Sequence, residues 1–179
     1  MMSTGDKKRL EVTGYGLQGA ERPNGNIFFP FPVLPALIVY IILSGCFCAA
    51  QGGERWVTFY NAGGQKTCVF NVELAVTPEE QERGLMFREK LPDNCGMLFL
   101  YNDDDIRYYC MKNTFISLDM IFLNAKRNVV GVFHSARPRD PTTISSIYPA
   151  RYVLEVNAGK ARQCGIKAGT KARFNNIPR

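Results

Sequence analysis

Thr67-Cys68-Val69-Phe70-Asn71-Val72-Glu73-Leu74-Ala75 is followed, one residue on, by Thr77-Pro78-Glu79-Glu80. In the first stretch Phe70, Val72 and Leu74 share one side, with Asn71 and Glu73 between them. That alternation is the mark of a half-buried strand. The second stretch opens a helix. Thr77 can cap it, Pro78 suits the first turn, and Glu80 completes a capping box. The helix is expected to run to about Phe87.

Working outward, residues 56–61 read as a strand before a Gly63-Gly64 turn. Leu91-Pro92-Asp93-Asn94 is a turn, and 96–101 is a continuous apolar run, hence a buried strand. Residues 102–105 read as an acidic turn. Strands at 107–111 and 118–123 flank an Asn113-Thr114 corner, and a polar hairpin at 124–128 leads into a strand at 129–134. Residues 137–149, rich in Pro, Ser and Thr, form a long irregular loop of the kind that often makes a functional rim. A strand at 150–156, a short helix capped by Asn157 and ending at Gly165, and a strand at 171–174 complete the chain. No βαβ rhythm is visible. The expectation is a mainly β (α+β) domain: a small closed or partly open antiparallel β-barrel with two short helices.

The N-terminal part has a different character. A hydrophobic run at 27–43 ends in Leu43-Ser44-Gly45-Cys46, which resembles a bacterial lipoprotein signal with its lipobox. Pro30, Pro32 and Pro35 break helix near its start, and the remainder is shorter than the roughly 20 residues of a membrane span. Lys7, Lys8, Arg9 and Arg22 are diluted by Asp6, Glu11 and Glu21. The expected organisation is a signal segment at 1–45 cleaved before Cys46, lipid on Cys46, a tether at 46–54, and one β-rich domain at 55–179. The alternatives are an uncleaved anchor and an ordinary core segment. On the favoured reading the chain is expected in the bacterial cell envelope, membrane-anchored and facing the periplasm or exterior.

The 179 residues hold 22 Lys and Arg against 16 Asp and Glu, a net charge of +6. These charges are scattered, with no helix face or arm collecting them. Nucleic acid is therefore not an expected partner, whereas a small molecule, an envelope glycan or an envelope protein is. Cys68, Cys95, Cys110 and Cys164 can pair in three ways, which the sequence leaves open. With His134 the single histidine and no close cysteine pair in the folded part, no metal or cofactor is expected. Met86, Met97 and Met111 could join Cys110 in a soft-metal site, but such methionines are read as core.

Several blocks in order carry a resemblance. They are Thr77-Pro78-Glu79-Glu80, Arg83-Gly84-Leu85-Met86-Phe87-Arg88, Gly96-Met97-Leu98-Phe99, Met111-Lys112-Asn113-Thr114, Leu118-Asp119, and Ala150-Arg151-Tyr152-Val153-Leu154-Glu155-Val156-Asn157-Ala158-Gly159. Together they resemble the domain of unknown function 192 family, also called uncharacterised protein family 0127. The resemblance implies a compact β-barrel with short helices in a small, often exported protein. It implies no reaction. Two features depart from the family pattern: Cys110 stands where tryptophan is usual, and the loop at 137–148 lacks a cysteine often found there.

Candidate site residues follow from their surroundings. Arg83 is either an anion-binding guanidinium or a partner of Asp119 or Glu155. Lys112, Asn113 and Thr114 follow the aromatic pair Tyr108-Tyr109, as polar groups do at a barrel mouth, or else form a simple turn. Asp119 lies in an apolar run, so it must be paired or hold a raised pKa; it is a structural ion or a general base. Arg151 shares a strand face with Glu155. No nucleophile elbow or phosphate loop is present. The favoured function is an envelope lipoprotein that binds a ligand or partner through the 112–114 and Arg151 rim. The alternatives are an envelope hydrolase acting on glycan with Asp119 as base, and a purely structural or interaction lipoprotein.

Overall fold

The computed structural model of the protein describes residues 54–178. The expected signal segment, Cys46 and most of the tether lie outside the described residues. The elements are β1 (Trp56–Tyr60), β2 (Lys66–Ala75), α1 (Pro78–Arg83), β3 (Cys95–Asp105), β4 (Tyr108–Tyr109), β5 (Leu118–Leu123), β6 (Val129–Ala136), β7 (Ile144–Ser145), β8 (Ala150–Asn157), α2 (Lys160–Gln163) and β9 (Lys171–Asn175). Seven strands form one curled sheet in the order β6-β5-β8-β3-β2-β1-β9, and β4 pairs with β7 in a small second sheet. The large sheet is an open half-barrel. Its two edges come together at one end, where Asn128 bridges Lys171 and the Val129 N–H donates to the Thr170 carbonyl at 2.9 Å. The mainly β, partly open barrel with two short helices expected from the sequence is the observed fold.

Alternation sorts the strands into two cores. On β5, Ile121 and Leu123 join a core that draws on every strand of the curled sheet, from Val57 and Phe70 to Leu154 and Ala172. Leu118, Met120 and Phe122 point the other way, to Met97, Phe99 and Val153. That second core is covered by Leu85, Leu91, Met111 and Ile144 from the connections. β5 is buried along its whole length because both of its faces are covered. Each fully buried Leu, Ile or Phe side chain contributes roughly 1.5–3 kcal/mol by leaving water.

Several local expectations are corrected. β2 and β3 run parallel, from Asn71↔Cys95 to Ala75↔Phe99, with α1 in the crossover. A parallel pair needs a connection of a dozen or more residues, and 76–94 supplies it. Only six of those residues are helical, too few for periodicity to announce the unit. α1 stops at Arg83, not near Phe87, because Gly84 turns to φ 46°, ψ −132°. The predicted capping box is present: the Glu80 N–H donates to Thr77 Oγ1, and Glu80 Oε2 accepts from the Thr77 N–H.

β3 continues through the expected acidic turn to Asp105, where an irregular register lets Asp105 pair with Ala150. The strand expected at 107–111 is only Tyr108–Tyr109, and its partner β7 arises inside the expected loop at 137–149. α2 is shorter than expected and begins after Gly159 at φ 85°, while Asn157 donates its side-chain amide to the Leu91 carbonyl at 2.8 Å. Cys68 and Cys164 form a disulfide that ties β2 to the end of α2 across 96 residues of sequence. Cys95 is buried and Cys110 exposed, both outside that bond.

Candidate functional site

A cleft of about 710 Å³ lies between α1 and its exit, the end of β3, β4, and the 112–113 corner. Its aromatic wall comes from Tyr101, Tyr108 and Tyr109. Tyr109 is packed edge-on against Phe99 at 5.3 Å and Phe122 at 6.3 Å. Its hydroxyl lies 2.7 Å from that of Tyr101. The Arg107 guanidinium covers the Tyr101 ring at 3.9 Å and is held there by the Ala150 carbonyl, 2.8 Å from Nε. Burial pushes the Tyr101 hydroxyl above its usual range and Tyr109 well above it. Both hydroxyls are therefore neutral donors and acceptors across the physiological range. Tyr108, by contrast, is 69% exposed and presents its ring to solvent at the mouth.

The opposite wall is made by an unusual backbone. Phe87 sits at φ 64° and Asn113 at φ 58°. The Phe87 N–H donates to the Asn113 carbonyl at 2.8 Å, so the two turns brace each other. For a bulky aromatic residue a positive φ is an outlier, and such outliers persist only where the surroundings over-determine them. Phe87 is nevertheless 60% exposed, with its ring edge-on to Phe115 at 6.1 Å. Behind it, Gln81 straps α1 to β3 by donating to the Leu100 carbonyl at 2.7 Å. The Met111 N–H bonds the Asp140 carbonyl at 2.9 Å, and this ties in the loop that lends Pro141 and Thr143 to the cleft.

Glu155 forms no ion pair among the described residues. It lies on the side of β8 that also carries Val153, buried between Met97 and Met120 on the flanking strands. Burial raises its pKa to about 8. Its charge, where present, would also push up both tyrosines. At neutral pH the group under the tyrosines is thus mostly a carboxylic acid, able to donate a hydrogen bond.

Three sequence candidates meet at this cleft: Arg83, Lys112 and Asn113 all line it. Thr114 is buried behind them, its N–H closing the turn onto the Met111 carbonyl at 3.0 Å. Arg151 does not line the cleft; it is half-buried on β8, with Nε enclosed and lacking a hydrogen-bond partner. Asp119 is fully buried elsewhere, and its two oxygens accept from the Ser135 N–H at 2.8 Å and the Ala161 N–H at 2.9 Å. Among the described residues Arg83 forms no ion pair with Asp119 or Glu155, nor does Asp119 with Lys112 or Arg151; His134 Nδ1 is 3.9 Å from Asp119 Oδ1. Asp119 thus braces the β6 bend and the start of α2. Met97 and Met111 are core residues, and Met86 and Cys110 line the cleft. Among the described residues, no group of three or more His, Cys, Asp or Glu could hold a metal.

Sequence reasoning marked the Tyr108-Tyr109 pair only as a strand, and missed Tyr101, Phe87 and Glu79 as cleft residues. Tyr101 closes an apolar run and reads as core. The backbone turn that exposes Phe87 leaves no trace in hydrophobic pattern.

Among the described residues, the architecture is an open, curled β half-barrel with a tyrosine-lined cleft beside a βαβ crossover. The chain belongs to the domain of unknown function 192 family, described as an uncharacterised ACR, whose model matches residues 59–174. Two solved structures are similar. One is a proposed transcription regulator from Sinorhizobium meliloti 1021, 32% identical, TM-score 0.66, covering 70% of this chain and 97% of that one. The other is a protein of unknown function from Novosphingobium aromaticivorans, 42% identical, TM-score 0.62, covering 66% of this chain and 83% of that one. No curated protein matches the chain.

Proposed function

We propose that the protein is an envelope lipoprotein whose half-barrel binds a polar, largely uncharged ligand such as a glycan segment in the tyrosine cleft. The observation that carries this is a pair of exposed aromatic rings on opposite walls of the cleft, Tyr108 and Phe87, the second fixed by a strained backbone. Aromatic faces take the C–H face of a sugar, and nearby amides, hydroxyls and charges take its hydroxyls. The cleft supplies those groups in mixed sign: Glu79 and Glu82 against Arg83 and Lys112, with Asn113 between. Such balance suits a neutral polar ligand better than a polyanion.

The lipobox-like Leu43-Ser44-Gly45-Cys46 behind a hydrophobic run supports the compartment, and the Cys68–Cys164 disulfide agrees with an oxidising one. Metabolic labelling with palmitate, compared between the wild type and Cys46→Ala, tests the anchor. Label that persists in the variant contradicts it. For the ligand, a thermal-shift screen of the purified full chain against oligosaccharides, amino acids, nucleotides and metals is the first test. A native-state ligand raises the melting temperature with its concentration. A saccharide shift that Tyr108→Ala abolishes is the expected result. Shifts only from classes other than saccharides overturn it.

A further inference from the structure

A second cleft, of about 1080 Å³, opens at the end of the half-barrel where the edges of the sheet meet. We propose that it is a binding site for a ligand bearing more than one phosphate charge. Lys126, Lys167, Lys171 and Arg173 line it, and among the described residues no Asp or Glu does. The four come from three separate pieces of chain: the β5–β6 hairpin, the α2–β9 loop and β9 itself. In sequence they look like part of a scattered basic surface. The fold gathers them, because Asn128 bridges Lys171 and brings the hairpin against β9.

None of the four forms an ion pair among the described residues, and all are exposed. Like charges around one concavity repel, and the focused field raises the local concentration of anions. Their backbones are held in place. The Asn124 side-chain oxygen accepts from the Lys126 N–H at 3.0 Å and the Asn128 N–H at 3.1 Å. The Lys167 N–H donates to Thr170 Oγ1 at 3.0 Å, and the Gly169 N–H donates to the Val129 carbonyl at 2.8 Å. The disulfide fixes Cys164 beside the cleft residue Gly165.

The chemistry favours phosphate. Lys171 and Arg173 project from the same side of β9, with Ala172 between them turned into the core. A lysine ammonium acts as a point charge, and the arginine fork accepts two phosphate oxygens at once. Arg173 also packs over the Tyr60 ring at 5.1 Å, which orients its plane at the rim. Among the described residues Tyr60 is the one aromatic residue in the lining, too few for the successive stacking that single-stranded nucleic acid needs. The site is separate from the tyrosine cleft and does not depend on it. The phosphate could come from a soluble phosphorylated compound or from a phospholipid headgroup.

The test is calorimetric titration of the full chain in neutral detergent, with inositol hexakisphosphate as the soluble probe. A second arm measures the chain's affinity for vesicles of phosphatidylglycerol against vesicles of phosphatidylcholine. The variants are Lys167→Ala/Lys171→Ala, with Lys90→Ala as a control outside the cleft, and folding is checked by melting temperature. The wild type and the control are expected to bind the probe alike, and the double variant about tenfold or more weakly, with added salt weakening the wild type. A variant-sensitive response to the soluble probe alone assigns a soluble ligand, and one to phosphatidylglycerol assigns a headgroup. Equal affinity of a folded double variant and the wild type in both arms overturns the proposal. So does a variant-sensitive preference for duplex DNA over the probe.

Discussion

The Phe87 N–H donates to the Asn113 carbonyl at 2.8 Å while both residues hold a positive φ. One bond thus locks two left-handed turns together on one wall of the tyrosine cleft. Asn tolerates that conformation and alanine does not. Asn113→Ala is expected to lose about 1 kcal/mol of stability, and Asn113→Gly to lose little. Urea unfolding of both variants checks this, and equal loss in the two would place the cost in the side chain, not the backbone.

Gly96 lies against β8, where an added Cβ would come within 2.6 Å of the Glu155 carbonyl oxygen. That contact is with backbone, so no rotamer relieves it. Gly96→Ala is expected to cost roughly 3 kcal/mol or to prevent folding. A variant with near-native stability would mean that β3 and β8 are not packed as described.

Asp119 accepts two buried backbone N–H bonds, from Ser135 and Ala161. An amide can accept on one side only, so Asp119→Asn turns its NH₂ against one of those donors. The expected loss is about 2–4 kcal/mol by chemical denaturation. A stable Asp119→Asn protein would revive a chemical role for this residue.

Glu155 gives a pH signature. Its folded pKa is raised to about 8 by burial, above the carboxylate range of the unfolded chain. Below that range both states are protonated and the group does not penalise folding. As pH rises through the carboxylate range and on to about 8, the unfolded chain releases the proton and the folded chain keeps it, so stability falls. Above about 8 the loss is complete. Glu155→Gln cannot ionise and is expected to show a flatter decline in melting temperature across this window. Parallel declines in the two proteins would contradict it.

How much of this could be read from sequence depends on the length scale of each signal. The capping box at Thr77 and Glu80 and the alternation of Phe70, Val72 and Leu74 are local, and the start of α1 and the strand β2 are where the sequence puts them. The parallel pairing of β2 with β3 is not local, and a six-residue helix is too short to reveal it. Arg83, Lys112 and Asn113 were found because polar groups beside apolar strands stand out. Tyr101 was hidden because an aromatic residue at the end of an apolar run reads as core. Arg151 is expected at the rim with residues 112–114, but strand register leaves it outside the lining, and Asp119, expected as a structural ion or a base, is turned toward α2. The basic cleft escaped because its residues are spread from Lys126 to Arg173 and meet only when the sheet curls.

The tyrosine cleft is proposed to bind a polar, largely uncharged ligand. The most direct measurement is a calorimetric titration of the full chain with chito-oligosaccharides and peptidoglycan glycan fragments, repeated on Tyr108→Ala. Tyr108 is 69% exposed, so its removal should leave the fold intact. Saturable binding to at least one saccharide in the wild type, weakened about tenfold or more in Tyr108→Ala at unchanged melting temperature, is the predicted result. No binding by the wild type, or equal binding by the two proteins, would contradict the claim.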